Sequence, residues 1–364
     1  MSSSFKYRND VLLPIIEIPF LYILILTVIL SGLVYITVTE MNSTNPRMFG
    51  MNPMEEEVEK DTKKEDVDTG EMINAKTIKL DEYDSNITIE EGGEYNIEGS
   101  FNHSILVDST DKVILNLNNV SINSDITAAI GNKGTGEMVI NLVEGTTNVL
   151  KDNGSSELDG CIYSSGKLTI QGNGKLEVYG NQEEGEGIAT TDADIIINGG
   201  NIYIESADDG INAGGDNGGV LTINGGNITV KASGDGIDSN KDLIINGGTV
   251  YTMGSSVGGD AGIDTDGKFE INGGEVIALG SDMLQNPDNV SKQKSVSFTL
   301  NSKITTGSNI SLKDGGENEI ISFEAKEDFK TLIISNSDLT SGTYYLYING
   351  EKTEYNKSVK LEYL

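Results

Sequence analysis

From about residue 76 to residue 280 the chain alternates short apolar stretches with Gly, Asn and Asp, the signature of strands separated by tight turns. The alternation repeats. Asn-Gly-Gly follows an apolar stretch at Asn198, Asn224, Asn246 and Asn272, with Gln171 opening a degenerate copy, and these positions are 27, 26, 22 and 26 residues apart. The Gly before each Ile of a second marker (Gly160, Gly187, Gly210, Gly236, Gly262) steps by 27, 23, 26 and 26. Each period holds three strand-like pieces, such as GIDSN, DLIIN and GTVYTM. Aligned, they give three apolar columns: Cys161, Ile188, Ile211, Ile237 and Ile263; Ile170, Ile197, Ile223, Ile245 and Ile271; Leu176, Ile202, Ile228, Val250 and Val276. Columns that never reverse exclude hairpins between neighbours and describe a coil, each turn lying about 4.8 Å above the last and pairing with it in parallel. The expected fold is all-β, a right-handed parallel β-helix over residues 76–280, the hand following from the crossover rule. The Asn column predicts inward side chains bonded from turn to turn, with Gly free to take positive φ. Cys161 is expected to act as a small hydrophobe. Beyond Gly280 the period fails, and residues 281–364 read as β strands that finish or cap the coil and cover its open edge.

The N-terminus breaks the pattern. Residues 20–38 are an uncharged run of 19, about enough to cross a membrane, with Lys6 and Arg8 before it and Glu40 closing it. The expectation is a cytoplasmic segment over 1–19, an uncleaved transmembrane anchor over 20–39 and an outward-facing C-terminal bulk at the cell membrane. Residues 40–75 include MNPMEEEVEKDTKKEDVDTGEM, with nine acids and three Lys, which predicts a disordered acidic tether. Fifty-seven acids against 25 bases give a formal charge of −32, and no basic stripe exists for nucleic acid. A single Cys excludes an intrachain disulfide and any multi-Cys metal centre.

The acids sit at matched places in the repeat. Before the marker Gly stand Asp159, Glu186, Asp209, Asp235 and Ala261, with Asp260 beside the last; two residues after it come Ile162, Ala189, Asn212, Asp238 and Asp264. Stacked one turn apart, such carboxylates repel unless solvated, protonated or metal-bound. Oxygen donors without His or Cys suit Ca²⁺. Asp209, Asn212 and Asp216 of one turn with Asp235 and Asp238 of the next form one candidate ligand set, and Asp260, Asp264 and Asp266 another. The plain alternative is that Asp-Gly is good turn chemistry with solvated side chains. A further column, Glu177, Tyr203, Thr229, Tyr251 and Ile277, faces outward. Tyr203 and Tyr251, two turns or roughly 10 Å apart, match the disaccharide spacing of an extended β-linked glycan and could stack on sugar rings.

The run ADDGINAGGDNGGVLTINGGNITVKASGDGIDSN, with LNLNNVSINS and INLVEGTTNVL upstream and SGTYYLYING downstream, resembles the bacterial carbohydrate-binding domain-containing proteins. The resemblance implies an extracytoplasmic β-helix shaped like pectate lyases, with calcium sites and binding to cellulose and polygalacturonate. It implies that Asp209, Asn212, Asp235 and Asp238 are calcium ligands. Ala261 and the missing acid after Ile188 depart from the pattern. A polysaccharide lyase or hydrolase is the rival reading. No Arg follows Arg47, so a lyase base would be a lysine such as Lys231 or Lys241, and the acid pair Asp208–Asp209 lies far along the chain from the single histidine, His103. A structural surface spacer or adhesin needs neither stacked acids nor an aromatic column. The expectation is therefore a non-catalytic, membrane-anchored, calcium-dependent binder of pectin-like or cellulose-like polysaccharide.

Overall fold

The computed structural model describes residues 75–153, 158–180, 185–353 and 355–360, with side chains as far as residue 353. The expected cytoplasmic segment, anchor and most of the tether lie outside these residues. Among the described residues no helix is long and apolar enough to cross a membrane.

Three parallel ladders run the length of a β-solenoid. The first has seven strands in chain order: Ile87–Ile89, Ile105–Val107, Ile130–Asn132, Ile162–Ser164, Ile188–Thr191, Ile211–Gly214 and Ile237–Ser239. The second runs Met138–Leu142, Leu168–Gly172, Ile195–Ile197, Leu221–Ile223, Leu243–Ile245 and Phe269–Ile271. The third runs Thr147–Asp152, Lys175–Gly180, Asn201–Ser206, Asn227–Ala232, Thr249–Met253 and Glu275–Gly280. Upstream, the long strands Gly93–Phe101 and Val113–Ser124 pass through both of the latter ladders and join them into one sheet.

The apolar columns of the second and third ladders align as the sequence predicts, and each member is at most 1% exposed. The first column needs one correction. Ile162, not Cys161, pairs with Ile188, because the first copy carries one more residue between its Gly and its Ile. Cys161 is still buried and free, and burial pushes its thiol well above the usual range.

The Asn-Gly-Gly corner is a second, polar ladder. Asn224 Nδ2 donates to Asn198 Oδ1 at 2.8 Å, Asn246 to Asn224 at 2.9 Å and Asn272 to Asn246 at 3.1 Å. Contrary to expectation it faces outward, with Asn198, Asn224 and Asn246 exposed. The interior is filled by the branched side chains on either side, leaving the corner amides at the rim. Gly248 shows why the corner excludes a side chain: its φ is +88°, and an added Cβ would stand 2.6 Å from the Gly226 carbonyl oxygen.

The last coil is closed by side chains rather than by another coil. Gln285 Nε2 donates to the Thr265 carbonyl, Asp288 Oδ2 and Ser291 Oγ accept the Phe269 and Ile271 N–H groups, and Gln293 Nε2 donates to the Gly274 carbonyl. The chain then returns. Phe329–Ser335 pairs antiparallel with Glu275–Gly280, Ser295–Ile304 with Phe329–Ser335, and Tyr355–Lys360 with Ser295–Ile304. A four-stranded antiparallel sheet, ordered Glu319–Glu324, Asn309–Asp314, Tyr344–Ile348 and Glu351–Lys352, lies beyond them. Phe298, Phe329, Leu332 and Leu346 form a core here that takes in Met253, Ile277 and Leu279 of the final coils. The C-terminal strands thus cover the edge of the solenoid and carry a core of their own.

The corner geometry sets an order of costs. Gly248→Ala forces an L-residue into positive φ against a backbone oxygen and should destabilise by about 1–3 kcal/mol, whereas Asn246→Ala removes exposed amide bonds and should cost about 1 kcal/mol or less. Urea unfolding of the two variants measures the difference.

Candidate functional site

The acids lie along the seam where the third ladder turns into the first. At two successive steps a backbone N–H of one coil meets a carboxylate of the coil before it. Asp209 Oδ1 accepts the Asp235 N–H at 2.7 Å, and Asp235 Oδ1 accepts the Ala261 N–H, both across 26 residues. A parallel device stands at the entry to the second ladder, where Asp194 accepts the Val220 N–H at 2.9 Å and Asp242 the Lys268 N–H at 2.8 Å. Part of the acid pattern is therefore structural, since these carboxylates satisfy corner donors that the ladder leaves over. Sequence reading missed this role, although the shared 26-residue step carries it.

Asp238, Asp264 and Glu186 are not explained that way. Asn212 pairs in register with Asp238 one coil on. Its amide donates to Glu186 Oε1 at 2.6 Å and to Asp209 Oδ2 at 3.0 Å, tying together carboxylates of successive coils. Its Oδ1 is buried and has no hydrogen-bond partner among the described residues. Burial, reinforced by Asp159, Asp209 and Asp208, pushes the Glu186 carboxyl up to about 9. Burial and neighbouring acids also raise Asp209 and Asp235 to about 7 each, against the pull of their N–H donors. Asp238 goes up to about 6 through burial and then Asp264, and Asp264 is raised by burial and Asp266. Asp260 adds to the field at Asp235. One continuous run of mutually repelling carboxyls thus crosses several coils.

Of the residues expected to bind metal, the structure brings Asp209, Asn212, Asp235, Asp238 and Asp264 into this run, with Asp260 and Asp266 acting on it. Asp216 stands apart: it is exposed, and its loop is organised by Asp192, which accepts the Asn217 N–H at 2.7 Å. Glu186, whose turn lacks an acid after Ile188, is pushed further from its ordinary value than Asp209, Asp235 or Asp238. Beside the run lies an open groove of about 320 Å³, lined by Asp159, Tyr163, Glu186, Asn212, Asp238 and Asn240 among others. Among the described residues no three acidic, His or Cys side chains already converge as a ligand set. The donors nonetheless fit a hard cation: all are oxygens, and the unpartnered Oδ1 belongs to a side chain whose amide already touches Glu186 and Asp209.

The aromatic column aligns as expected, Glu177 with Tyr203, Tyr203 with Thr229, Thr229 with Tyr251. Tyr251, however, is covered from the C-terminal strands. Phe323 packs against its ring at 5.9 Å between centroids, and its hydroxyl accepts the Lys326 N–H at 3.1 Å. Tyr203 instead neighbours Tyr179, one coil back, at 6.0 Å. Lys231, a candidate base, is paired with Glu327 at 3.0 Å and Glu205 at 3.3 Å, and these contacts raise its ammonium above the ordinary value. It is held protonated. His103 packs against Phe101, four coils before the Asp208–Asp209 pair in the first ladder.

A sequence model of the family described as carbohydrate-binding domain-containing protein matches residues 83–308. This chain belongs to that family. A curated carbohydrate-binding domain-containing protein from Acetivibrio thermocellus is 32% identical over 148 residues, 37% of this chain and 51% of that protein. The chain thus aligns with about half the length of that relative. A solved polysaccharide lyase-like protein from C. thermocellum, in its gadolinium derivative, superposes with a TM-score of 0.45 at 26% identity, covering 58% of this chain and 95% of that one.

The raised carboxyls predict an inverted pH dependence for the metal-free protein. Above its ordinary value of 4.5, Glu186 keeps in the folded state a proton that the unfolded chain sheds, so stability falls as pH climbs toward about 9. Asp209, Asp235 and Asp238 add the same sign between 3.8 and about 6 to 7. Carboxyls held low, such as Asp192 and Glu137, lose their stabilisation only below their ordinary values. In chelator, the melting temperature should therefore rise from about pH 9 to about pH 5 and drop below that. Calorimetry across this range reads it.

Proposed function

We propose that the chain is a membrane-anchored, extracytoplasmic binder of acidic polysaccharide that uses calcium and carries out no reaction on its ligand. The observation that supports this most is the acid run itself. A family member that binds carbohydrate keeps Glu186, Asp209, Asp235, Asp238 and Asp264 crowded where their charged forms repel, beside an open groove. A divalent cation there would cancel that repulsion and offer open coordination positions to uronate carboxylates.

The chain's own residues divide the work. Asp209 and Asp235 each commit one oxygen to an N–H of the next coil, which fixes the carboxylate plane, and the second oxygen of Asp209 accepts the Asn212 amide. Asn212 holds Glu186 and Asp209 through its amide and presents Oδ1 as a neutral donor. Asp238, in register beyond it, adds charge at the groove wall. Tyr163, whose hydroxyl donates to Thr191 Oγ1 at 3.1 Å, lines the same groove and supplies a planar flank for a sugar ring.

The non-catalytic reading rests on the proton-transfer groups. A lyase needs a base near its calcium, and Lys231 is locked as an ammonium between Glu205 and Glu327 and does not line the acid groove. The outward location rests on the apolar run at residues 20–38 and the basic residues before it.

Asp238→Asn separates repulsion from binding because it keeps shape and removes charge. In chelator it should melt higher than the wild type. In calcium its gain should shrink, and its retention on polygalacturonate should fall about tenfold. Wild-type retention that is indifferent to chelator, with no calcium-dependent shift in melting, would exclude the mechanism.

A further inference from the structure

The outward face of the third ladder leads into a cleft that the acid groove does not share. Two rows run along this face. One is Glu177, Tyr203 and Thr229; the other is Lys151, Tyr179, Glu205 and Lys231. The Tyr179 hydroxyl donates to Glu177 at 3.0 Å and the Tyr203 hydroxyl to Glu205 at 3.1 Å, so each ring is pinned by its rim. Glu205 pairs with Lys231, and Lys231 with Glu327 of the C-terminal strands' connecting loop. A hydrogen-bonded chain therefore crosses from an aromatic ledge on the solenoid to the C-terminal module. It forms part of the wall of a cavity of about 390 Å³, with Ser233, Ser255 and Val257 on the other side. Val257 is 67% exposed, an apolar side chain left at the rim.

We infer that this cleft is a second saccharide site, one that takes the end of a neutral glycan chain. The chemistry supports each element. Tyr203, tied to Glu205 of the cleft wall by its hydroxyl, offers a ring face beside the cleft to a pyranose ring, whereas Tyr179 carries the Lys151 ammonium over its ring at 4.9 Å. Glu205, Glu327 and Lys231, already oriented by one another, can accept from and donate to vicinal hydroxyls with little ordering on binding. Two carboxylates against one ammonium leave the cleft net negative, which disfavours a uronate and favours an uncharged sugar. The cavity is large enough for one or two rings rather than a long chain. The module's cover over Tyr251 is what makes it a dead end: a glycan lying on Tyr203 cannot continue along the column, because Phe323 occupies the next aromatic position. Glu327 lies beyond residue 308, where the match to the family model stops, so this one wall of the cleft lies outside that match.

The inference rests on the carbohydrate-binding reading but not on calcium. Isothermal titration of the full-length chain with cellohexaose, in chelator and in calcium, tests it. Binding should be equal in the two buffers. Tyr203→Ala should weaken it about tenfold, Tyr203→Phe should retain it, and Ser233→Trp, at an exposed position of the cleft, should block it without lowering the melting temperature. Asp238→Asn should leave it unchanged. Absence of binding in chelator, or binding that survives both Tyr203→Ala and Ser233→Trp, would overturn the site. Loss of polygalacturonate retention in chelator with cellohexaose binding intact supports it, since only the calcium-dependent site then responds.

Discussion

Parallel register is the constraint on which the rest of this molecule depends. A solenoid whose coils pair residue for residue repeats every side chain decision about 4.8 Å away. For Ile and Val that is favourable without further arrangement, and the three columns pack to near-complete burial. For Asn it yields an amide ladder, donor to acceptor, along one corner. For Asp and Glu it is costly. The same geometry that aligns hydrophobes aligns charges of one sign, and the partly buried seam weakens the solvent screening that would relieve them.

The chain meets part of that cost. Some carboxylates are converted into structural acceptors for the N–H groups of the following coil, as Asp194, Asp209, Asp235 and Asp242 are. Crowding persists all the same: burial and neighbouring acids push Glu186 furthest toward its protonated form, then Asp209 and Asp235, then Asp238. The proposed cation dependence draws on this crowding, because a divalent ion that relieves the repulsion stabilises the folded chain. The C-terminal strands act on the third ladder. They close the last coil, cover Tyr251 and place Glu327 against Lys231, turning an open face into a cleft.

Much of the fold was legible because a 26-residue step repeated in two unrelated markers admits few architectures. The failures were local and have physical causes. Cys161 was placed one residue out because the first copy holds an extra residue after its Gly, and Gly was a less faithful guide than the buried Ile. The Asn corner was correctly bonded but turned the wrong way, since a hydrogen-bond ladder forms equally well on either side of the wall. Tyr251 was taken as exposed because its cover comes from residues about 73 positions later, which no repeat encodes. Glu186 was undervalued for lacking a partner in its own turn, when its partners are Asp159, Asp208 and Asp209 of the neighbouring ones. Asp216, grouped with the other acids by proximity along the chain, stands exposed in a loop apart from the run.

Anomalous diffraction from crystals of the chain grown with calcium tests the central claim most directly, because it locates the ion among the stacked coils. The account predicts a peak at the seam coordinated by Asn212 Oδ1 together with carboxylate oxygens of two successive coils, drawn from Glu186, Asp209, Asp235 and Asp238. Crystals saturated with calcium whose seam carboxyls contact only water, with Asn212 Oδ1 still unpartnered, would contradict it.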